Sequence, residues 1–349
     1  MKKKIAVLVA TYGEVEDPTF KNLYPNSQRI LRYITSRIAN LPKPIQLLIA
    51  VLRSRKRKNY WGKLGYRSRL NEVTRKQADA IQAALNRLSN QGSVELAYDV
   101  REAYYFVPPY YEDVKRAVAH YDAVIVVPMI PVESEFSCGI ACYITLNEFR
   151  DIAFEKVRVL KHLWNDEKLL QLYVDHLFKK LEPKLAELKG QKTGLVLSVH
   201  GTLVKDSNGE MPTINTGYKE TMLFFERLKS AIERDERNVF QSIKIGAMNH
   251  QFGGEWMPET LAKALEEFKA EGIEQVVKFP YGFFADNSEA DLEGIEEVKA
   301  AGYDKMIYVE CINESPEFAA WLAERVRQAA ERLIWAKETS MAIRQAAIA

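Results

Sequence analysis

Two predicted strands are followed at once by side chains that can bind a metal ion or transfer a proton. Tyr12 and Gly13 come after the first strand, and His200 and Gly201 come after a later one. Because an imidazole has an ordinary pKa of about 6.5, it can accept a proton at neutral pH or bind a metal through its lone pair. We expect the glycine that follows it to let a substrate approach closely. Packing of the histidine against a loop, and of the tyrosine in the core, are the simpler interpretations of each residue alone.

An acidic helix is predicted after a strand and a Pro/Gly turn, in the segment Phe279–Glu289. Glu289, Glu293 and Glu297 lie four residues apart, so on an α-helix their carboxylates share one face at steps of about 6 Å. A solvated face is the simpler interpretation of such a series. Its position favours a functional one, because open α/β sheets bind ligands at the carboxyl ends of their strands, and carboxylates suit hydrated divalent cations.

A loop with two glycines and a tryptophan, Gly253–Pro258, follows another predicted strand. Trp256 gives this loop a large flat apolar surface, which suits either a ligand or a plug over the start of the next helix. His250 stands just before the loop. Since its neighbours supply no metal-ligand spacing such as HxxxH, we assign it no role from the sequence.

The elements that must position these residues alternate in type. Short β-branched runs are separated by segments of helical periodicity, which is the pattern of βαβ units and predicts an α/β fold with parallel sheets. Helices are predicted over Leu70–Leu88 and Glu259–Ala270. The predicted strands are Ile5–Val9, Val94–Val100, Ala123–Val127, Gly194–Ser198, Ile243–Met248, Val276–Phe279 and Met306–Cys311.

These strands fall into two halves of similar layout. We predict one domain over residues 1–165, a second over 166–326 and a helical tail over 327–349. The seam is the helical stretch Asp166–Leu188. No repeat is visible at the level of sequence, so the duplication is one of architecture.

The composition excludes several classes of protein. The 49 Lys and Arg nearly balance the 47 Asp and Glu, so the chain lacks the positive field of a nucleic-acid-binding protein. Its 3 cysteines cannot form a disulfide framework or a four-cysteine metal or iron–sulfur site. The first apolar run is too short for a signal peptide, and no stretch reaches the roughly 18 apolar residues of a membrane span. We expect a cytoplasmic protein.

Taken together, four motifs in order along the chain resemble those of the ferrochelatase family, the terminal metal-inserting enzymes of haem synthesis. The motifs are Ser198–Gly201, Gly253–Pro258, Pro280–Glu289 and Asn313–Phe318, and the likeness extends over nearly the whole chain. The resemblance implies two Rossmann-like domains, each a parallel sheet flanked by helices, with a tetrapyrrole cleft between them.

The resemblance also implies roles for individual residues. His200 takes the place of the family's active-site histidine, and Glu289 that of its partner carboxylate across the cleft. Both are implied to contact the metal. Glu293 and Glu297 continue the acidic helix face that guides metal ions or protons.

The porphyrin side of the cleft is implied in the same way. Tyr12 resembles the tyrosine of the coproporphyrin-using branch of the family, where it faces the metal from the opposite side. Arg29 falls where that branch has a basic residue near the porphyrin carboxylates. The predicted wall residues are Tyr12, Trp256, Phe283 and Phe284.

The chain departs from the family's pattern at three places. They are Arg69, Asn249–Gln251 and Asn287. We expect these departures to bear on the choice of porphyrin and metal rather than on the type of reaction.

An apolar segment with a basic end, residues 38–58, has two interpretations. It reads Ile38–Leu52 followed by the basic run Arg53–Lys58. A core helix with a solvated basic end is the simpler one. The other is an apolar lip with a cationic collar that touches a membrane surface or binds porphyrin propionates.

The expected reaction is the insertion of ferrous iron, as a substrate, into coproporphyrin III or protoporphyrin IX. Such a catalyst must bend the flat ring and accept two pyrrole protons, tasks that suit a shaped apolar cleft and an imidazole. No prosthetic group and no iron–sulfur cluster are expected. A chelatase for another metal or tetrapyrrole, and a non-catalytic haem- or porphyrin-binding paralogue, are the alternatives. The oligomeric state stays open.

Overall fold

Two parallel four-stranded sheets, one from each half of the chain, form the centre of the molecule. The computed structural model describes residues 2–35, 41–88, 95–148, 155–250 and 253–348. The first sheet has the order β2-β1-β3-β4. Its strands are β1 Lys3–Thr11, β2 Leu96–Tyr104, β3 Ala123–Pro128 and β4 Val157–Val159. The predicted α/β class is confirmed.

The second sheet repeats this layout in the C-terminal half, with the order β10-β9-β5-β7. Beside it, β6 and β8 form a small antiparallel pair. The strands are β5 Thr193–His200, β6 Leu203–Lys205, β7 Ser242–Met248, β8 Glu255–Trp256, β9 Gln275–Phe279 and β10 Ile307–Tyr308. In each sheet the first strand of its half has a parallel neighbour on both sides. That placement explains why β1 and β5 are almost wholly apolar and buried.

Helices cover the faces of both sheets. They are α1 Phe20–Ile30, α2 Lys43–Leu64, α3 Leu70–Leu88, α4 Tyr111–Ala117, α5 Cys138–Glu148, α6 Glu167–Leu181, α7 Leu185–Leu188, α8 Tyr218–Arg234, α9 Leu261–Ala270, α10 Gly294–Ala300 and α11 Pro316–Ile348. π-helical turns extend α1 over Leu31–Thr35 and precede α10 over Glu289–Glu293. Short 3-10 turns lie at Leu163–Asn165 and Glu182–Lys184.

The element boundaries differ from the predicted ones where side chains compete for backbone groups. Helix α9 begins at Leu261 because the Thr260 side chain accepts a hydrogen bond from the Lys263 N–H as its cap. Strand β10 keeps only two of the six predicted residues. At the two ends of the predicted strand, the Met306 N–H donates to the Tyr303 carbonyl and the Cys311 N–H to the Asp286 carboxylate. The short edge strand β4 was not predicted, and Val94 lies outside the described residues.

The C-terminal helix joins the two halves. Helix α11 runs across the boundary predicted at residue 326, so the predicted tail is the continuation of a helix that begins at Pro316. Its buried residues Leu322, Val326 and Ala330 belong to the large core shared by both sheets, and it packs against α3 and β3 of the N-terminal half. Within the described ranges, no helix is long and apolar enough to cross a membrane.

Candidate active site

A cavity of about 620 Å³ lies between the two halves, where β1 and β5 end. The N-terminal half contributes Tyr12, Glu14, Ile30, Ile34, Arg53, Lys56, Arg57, Tyr60, Trp61 and Phe106, among others. The C-terminal half contributes His200, His250, Trp256, Phe283, Ser288, Glu289 and Glu293, among others. The cavity thus combines aromatic walls, cationic groups and carboxylates.

His200 and Glu289 form a hydrogen-bonded pair in this cavity. His200 is the last residue of β5, and its Nδ1 lies 2.8 Å from Oε2 and 3.0 Å from Oε1 of Glu289. Burial alone lowers the pKa of His200, but the charge and hydrogen bond of Glu289 outweigh it and raise the pKa above 6.5. Because Nδ1 faces the carboxylate, the other ring nitrogen remains for a substrate or a metal ion.

The loop before Glu289 is held by two side chains. Asp286 is fully buried, where Tyr308 and Asn313 donate hydrogen bonds to its carboxylate at 2.7 and 3.0 Å. The Asn287 side chain accepts hydrogen bonds from the N–H groups of Glu289 and Ala290 and so caps the π-helical turn. Asn287, one of the departures from the family's pattern, therefore fixes the position of Glu289.

The predicted acidic stripe is only partly on the cavity. Glu289 and Glu293 line it, and burial followed by the neighbouring charge of Glu289 raises the pKa of Glu293. Glu297 is not among the lining residues. Its carboxylate accepts a hydrogen bond from the backbone of Ala262 and lies near Lys278. The prediction of one continuous stripe assumed a regular α-helix. In the structure this helix begins with a π-helical turn, so Glu297 does not share a face with Glu289 and Glu293 at the cavity.

A buried lysine lies beneath the acidic turn. Lys278 is fully buried on β9, and its Nζ donates a hydrogen bond of 2.8 Å to the carbonyl of Ala290. Burial lowers the pKa of this lysine to about 8, although the negative charge of Glu289 acts in the opposite direction. Gly294 makes room for it, because a Cβ there would lie 2.6 Å from the lysine Cε.

Tyr12 lines the cavity from the N-terminal half. Its ring stacks on Phe106 with centroids 5.7 Å apart and meets Tyr105 edge-on at 6.2 Å. Burial raises the pKa of Tyr12 well above its usual value, and the charge of Glu289 adds to this. Tyr12 therefore stays neutral, and its hydroxyl group is close enough to Glu289 for the charge of that carboxylate to affect it.

His250, which the sequence left without a role, lies beside His200. The two ring centroids are 5.0 Å apart, and Trp256 stands edge-on to both rings. Burial and then the neighbouring His200 lower the pKa of His250 to about 4. Gly201 serves this arrangement rather than the approach of a substrate, because the Asn249 side chain fills the space that a Cβ at position 201 would need.

Two of the predicted substrate-binding residues point elsewhere. Arg29 does not line the cavity, because its guanidinium donates to the Tyr105 carbonyl at 2.7 Å and to Glu112 at 2.8 Å. It also lies 4.0 Å from the ring centroid of Tyr110. Of the adjacent phenylalanines, Phe283 lines the cavity. Phe284 is in the core, with its ring centroid 4.8 Å from that of Phe318.

Sequence reasoning missed Glu14, which joins the halves. Its carboxylate accepts hydrogen bonds from Ser68 at 2.6 Å and from the Ser288 hydroxyl at 2.6 Å. The neighbouring N–H of Ser288 donates to it at 3.0 Å. This contact sets the residue before Glu289 against the loop that follows Tyr12. The only sequence signal was the position of Glu14 just after a strand.

The basic segment supplies the cations of the cavity. Arg53, Lys56 and Arg57 of α2 line it, and Arg57 lies over the Trp61 ring at 4.7 Å from its centroid. Burial and then the charge of Arg57 lower the pKa of Arg53 to about 10. The apolar part of α2 is not core, since Leu48 and Leu52 are 58% and 55% exposed. The first residues of the predicted lip, 38–40, lie outside the described part of the chain.

Two solved structures show that the fold of this chain occurs in other α/β proteins. SirB from Bacillus subtilis, solved with Fe3+, superposes with a TM-score of 0.51 at 11% identity over 94% of this chain and 96% of SirB. A multi-domain Deinococcus radiodurans protein with structural similarity to chelatases gives a TM-score of 0.50 at 13% identity. It covers 95% of this chain, which spans only 55% of that protein.

The sequence defines the family more narrowly. The ferrochelatase family model matches residues 4–330, so the chain belongs to the ferrochelatase family. The ferrochelatase of Gloeothece citriformis is 24% identical over 82% of this chain and 72% of its own length. Ferrochelatase-1 of Arabidopsis thaliana is 23% identical over 93% of this chain and 69% of its own length. The ferrochelatase of Helicobacter pylori P12 is 24% identical over 83% of this chain and 82% of its own length. The predicted family and reaction, iron insertion into a porphyrin in haem biosynthesis, are confirmed.

Proposed function

We propose that this chain inserts ferrous iron into coproporphyrin III in the cavity between its two sheets. The observation that carries the proposal is the His200–Glu289 pair, which the C-terminal half contributes to a cavity that Tyr12 of the N-terminal half also lines. Membership of the ferrochelatase family implies that the substrates are iron and a porphyrin. The choice of coproporphyrin rests on Tyr12 and on the cationic groups of α2.

The His200–Glu289 pair is suited to accept the pyrrole protons. A neutral imidazole takes up a proton at its free nitrogen, and the carboxylate at 2.8 Å stabilises the imidazolium that results. Two protons leave the porphyrin for each ion inserted, so the pair must pass its first proton on. Glu293, with a raised pKa and in the same cavity, is a second acceptor on that path.

The aromatic walls are suited to bend the ring. Tyr12 and Phe106 present a stacked pair on one side, while Trp256 and Phe283 line the other half of the cavity. Apolar contacts that fit a non-planar macrocycle better than a flat one favour the transition state of metal insertion. A bent ring exposes the nitrogen lone pairs that a flat ring hides in its plane.

Arg53, Lys56 and Arg57 are suited to bind the propionates. All three lie on the same helix and line the cavity, and guanidinium groups bind carboxylates through paired hydrogen bonds. Coproporphyrin III carries four propionates where protoporphyrin IX carries two. A cationic edge therefore favours the more acidic ring.

The direct test mixes the purified chain anaerobically with ferrous iron and either porphyrin and follows the shift of the Soret band. We expect turnover with both rings and a higher kcat/KM for coproporphyrin III. Preference for protoporphyrin IX would overturn the choice of ring. Insertion of another metal, or of iron only into a more reduced tetrapyrrole, would support the alternative chelatase. Tight porphyrin binding without any insertion would support a carrier.

We further propose that the chain acts in the cytoplasm without a prosthetic group or cluster. The positions of its cysteines support the second part, the lack of a cluster. Cys138 and Cys142 lie on α5, while Cys311 is buried in the other half beside the Pro280 carbonyl. Iron and acid-labile sulfide assays on the freshly purified protein test it. Stoichiometric sulfide would contradict the proposal.

The exposed apolar residues of α2 are proposed to touch a membrane surface reversibly. Leu48 and Leu52 project from the helix that carries the basic residues of the cavity, and such a surface suits anionic lipid. Vesicle sedimentation should show binding to vesicles rich in phosphatidylglycerol, reduced by Leu52→Asp. Leu223→Asp, at a site 44% exposed on α8, is the matched control. Equal binding of both variants would contradict this contact.

A further inference from the structure

His200 and His250 lie together because of the order of strands in the second sheet. Strand β5 pairs with β7 so that His200 stands opposite Met248, and the Gly201 N–H donates to the Met248 carbonyl at 2.9 Å. The chain leaving β7 therefore passes His200 within two residues, at His250. Glu289 comes from the loop after β9, the neighbour of β5 on its other side.

Hydrogen bonds hold the backbone next to His250 in place. Asn249 fills the space beside Gly201, and its Nδ2 donates to the Met257 carbonyl at 2.7 Å. The Met257 N–H in turn donates to the Thr202 carbonyl at 2.9 Å. These bonds join the residues that follow β5 to those that follow β7. They fix the spacing of the two imidazoles before any substrate arrives.

That spacing matches two imidazoles that share one metal ion. With metal–nitrogen bonds of about 2.1 Å, two such rings have their centroids about 5 Å apart, and the observed separation is 5.0 Å. Glu289 occupies Nδ1 of His200 and so leaves Nε2 for the ion, as in carboxylate–histidine–metal arrangements. Both histidines line the cavity.

We propose that His250 is a second nitrogen donor to the incoming metal ion, which is held between His200 and His250 while Glu289 orients the His200 ring. The protein therefore supplies two nitrogen ligands and leaves the other coordination positions of the ion open. Among the described residues, no three His, Cys, Asp or Glu side chains are placed to hold a metal together. A pair of neutral nitrogen donors suits Fe2+ and other first-row ions.

Two protein donors also suit a substrate rather than a resident metal. Structural sites use four protein ligands and catalytic sites usually three, so an ion held by two retains open positions. Pyrrole nitrogens can enter those positions, and the ion leaves the imidazoles as the porphyrin binds it. No electron is transferred in this exchange. One pyrrole proton goes to Glu293, and the other goes to Nε2 of His200 after the ion has left that nitrogen.

The test uses Co2+ alone, as a spectroscopic probe, added to the chain in the absence of porphyrin. The d–d absorption bands and calorimetry give the affinity, and we expect His250→Ala to weaken it at least about tenfold. His120→Ala, an exposed histidine outside the cavity, is the matched control and should bind Co2+ like the wild type. Equal affinity of the His250→Ala and wild-type proteins would overturn the proposal, as would a wild type that does not bind Co2+.

A second measurement does not depend on the folding of any variant. Paramagnetic NMR of the wild-type Co2+ form should show strongly shifted signals from two imidazoles, and signals from one only would overturn the proposal. The inference rests on the proposed function, but the two fail differently. If the wild type inserts iron while His250→Ala binds Co2+ normally, only the inference fails. If two imidazoles bind Co2+ but no porphyrin is metallated, the proposed function fails.

Discussion

The ends of β1 and β5 occupy equivalent places in their sheets but carry different chemistry. Each strand has parallel neighbours on both sides and ends at the cavity. After β1 comes Tyr12, a neutral ring stacked on Phe106. At the end of β5 is His200, hydrogen-bonded to a carboxylate. The same architecture thus presents an apolar surface from one half and an ionisable pair from the other.

The charges divide in the same way. The N-terminal half lines the cavity with Arg53, Lys56 and Arg57, whereas Glu289 and Glu293 belong to the C-terminal half. Glu14 is the exception, a carboxylate of the N-terminal half that is hydrogen-bonded to serines of both halves. An anionic ring and a cationic metal need opposite surroundings, and a net charge of +2 conceals this separation. The proposed function therefore assigns the porphyrin to the N-terminal half and the metal and protons to the C-terminal half. Changes in the first half should alter KM, and changes in the second should alter kcat.

The largest expected effect is that of His200→Ala. Loss of the proton acceptor should lower kcat for iron insertion by about a hundredfold to ten-thousandfold, the usual contribution of a general base. Porphyrin affinity, measured by fluorescence quenching, should stay within about twofold because the aromatic and cationic walls are intact. The His120→Ala protein provides the control. A parallel loss of affinity would break the division of labour between the halves.

Glu289→Gln should have a smaller effect on kcat, about tenfold to hundredfold, and a diagnostic one on the pH profile. The carboxylate raises the pKa of His200, and the imidazole accepts a proton only when neutral. Removing the charge should therefore move the acid limb of the kcat profile to lower pH. Glu266→Gln, the same substitution at an exposed site on α9, should leave the profile unchanged. A limb that does not move would show that Glu289 does not tune His200.

Arg57→Glu tests the N-terminal half. Reversing one charge in the cavity should raise KM for coproporphyrin III by about tenfold and leave kcat nearly unchanged. Arg55→Glu makes the same change on the same helix at an exposed residue that does not line the cavity. Steady-state assays with saturating iron measure both. If Arg55→Glu raises KM equally, the helix attracts the ring by its overall charge rather than through the cavity.

The sequence predicted those parts of the molecule that follow from local pattern. The alternation of apolar runs and helical segments gave both sheets, and the strand-end rule singled out His200 and Glu289. It could not tell which of Phe283 and Phe284 faces the cavity, because an irregular loop has no periodicity to read. The pairing of Glu14 with Ser288 joins residues 274 positions apart, and nothing local signals it.

Arg29 is a residue for which the sequence predicted a position at the cavity that the structure does not show. Resemblance placed it near the propionates, yet Glu112 binds its guanidinium at 2.8 Å. The cations that do line the cavity were visible as a basic run. A run of charges gives no indication of which side chains face inward, and only the packing of α2 on α1 decides it.

The smallest expected effect, that of Lys278→Met, sharpens the comparison inside the C-terminal half. The lysine donates a hydrogen bond to Ala290, the residue after Glu289. Its loss should lower kcat by about threefold to tenfold with KM for the porphyrin unchanged. Lys269→Met, on the exposed side of α9, is the control. A change in KM alone would mean that the acidic turn positions the ring and not the metal.

The stability of the same variant should depend on pH in a defined direction. Because burial lowers the pKa of Lys278 to about 8 from an ordinary value of about 10.4, the unfolded chain binds more protons than the folded one between these pH values. The free energy of unfolding of the wild type should therefore rise with pH in this window relative to that of Lys278→Met. Urea denaturation at several pH values measures the difference. If the difference in the free energy of unfolding between the two proteins does not change with pH, Lys278 keeps its ordinary pKa. The ammonium group beneath the acidic turn would then be as well solvated as one on the surface.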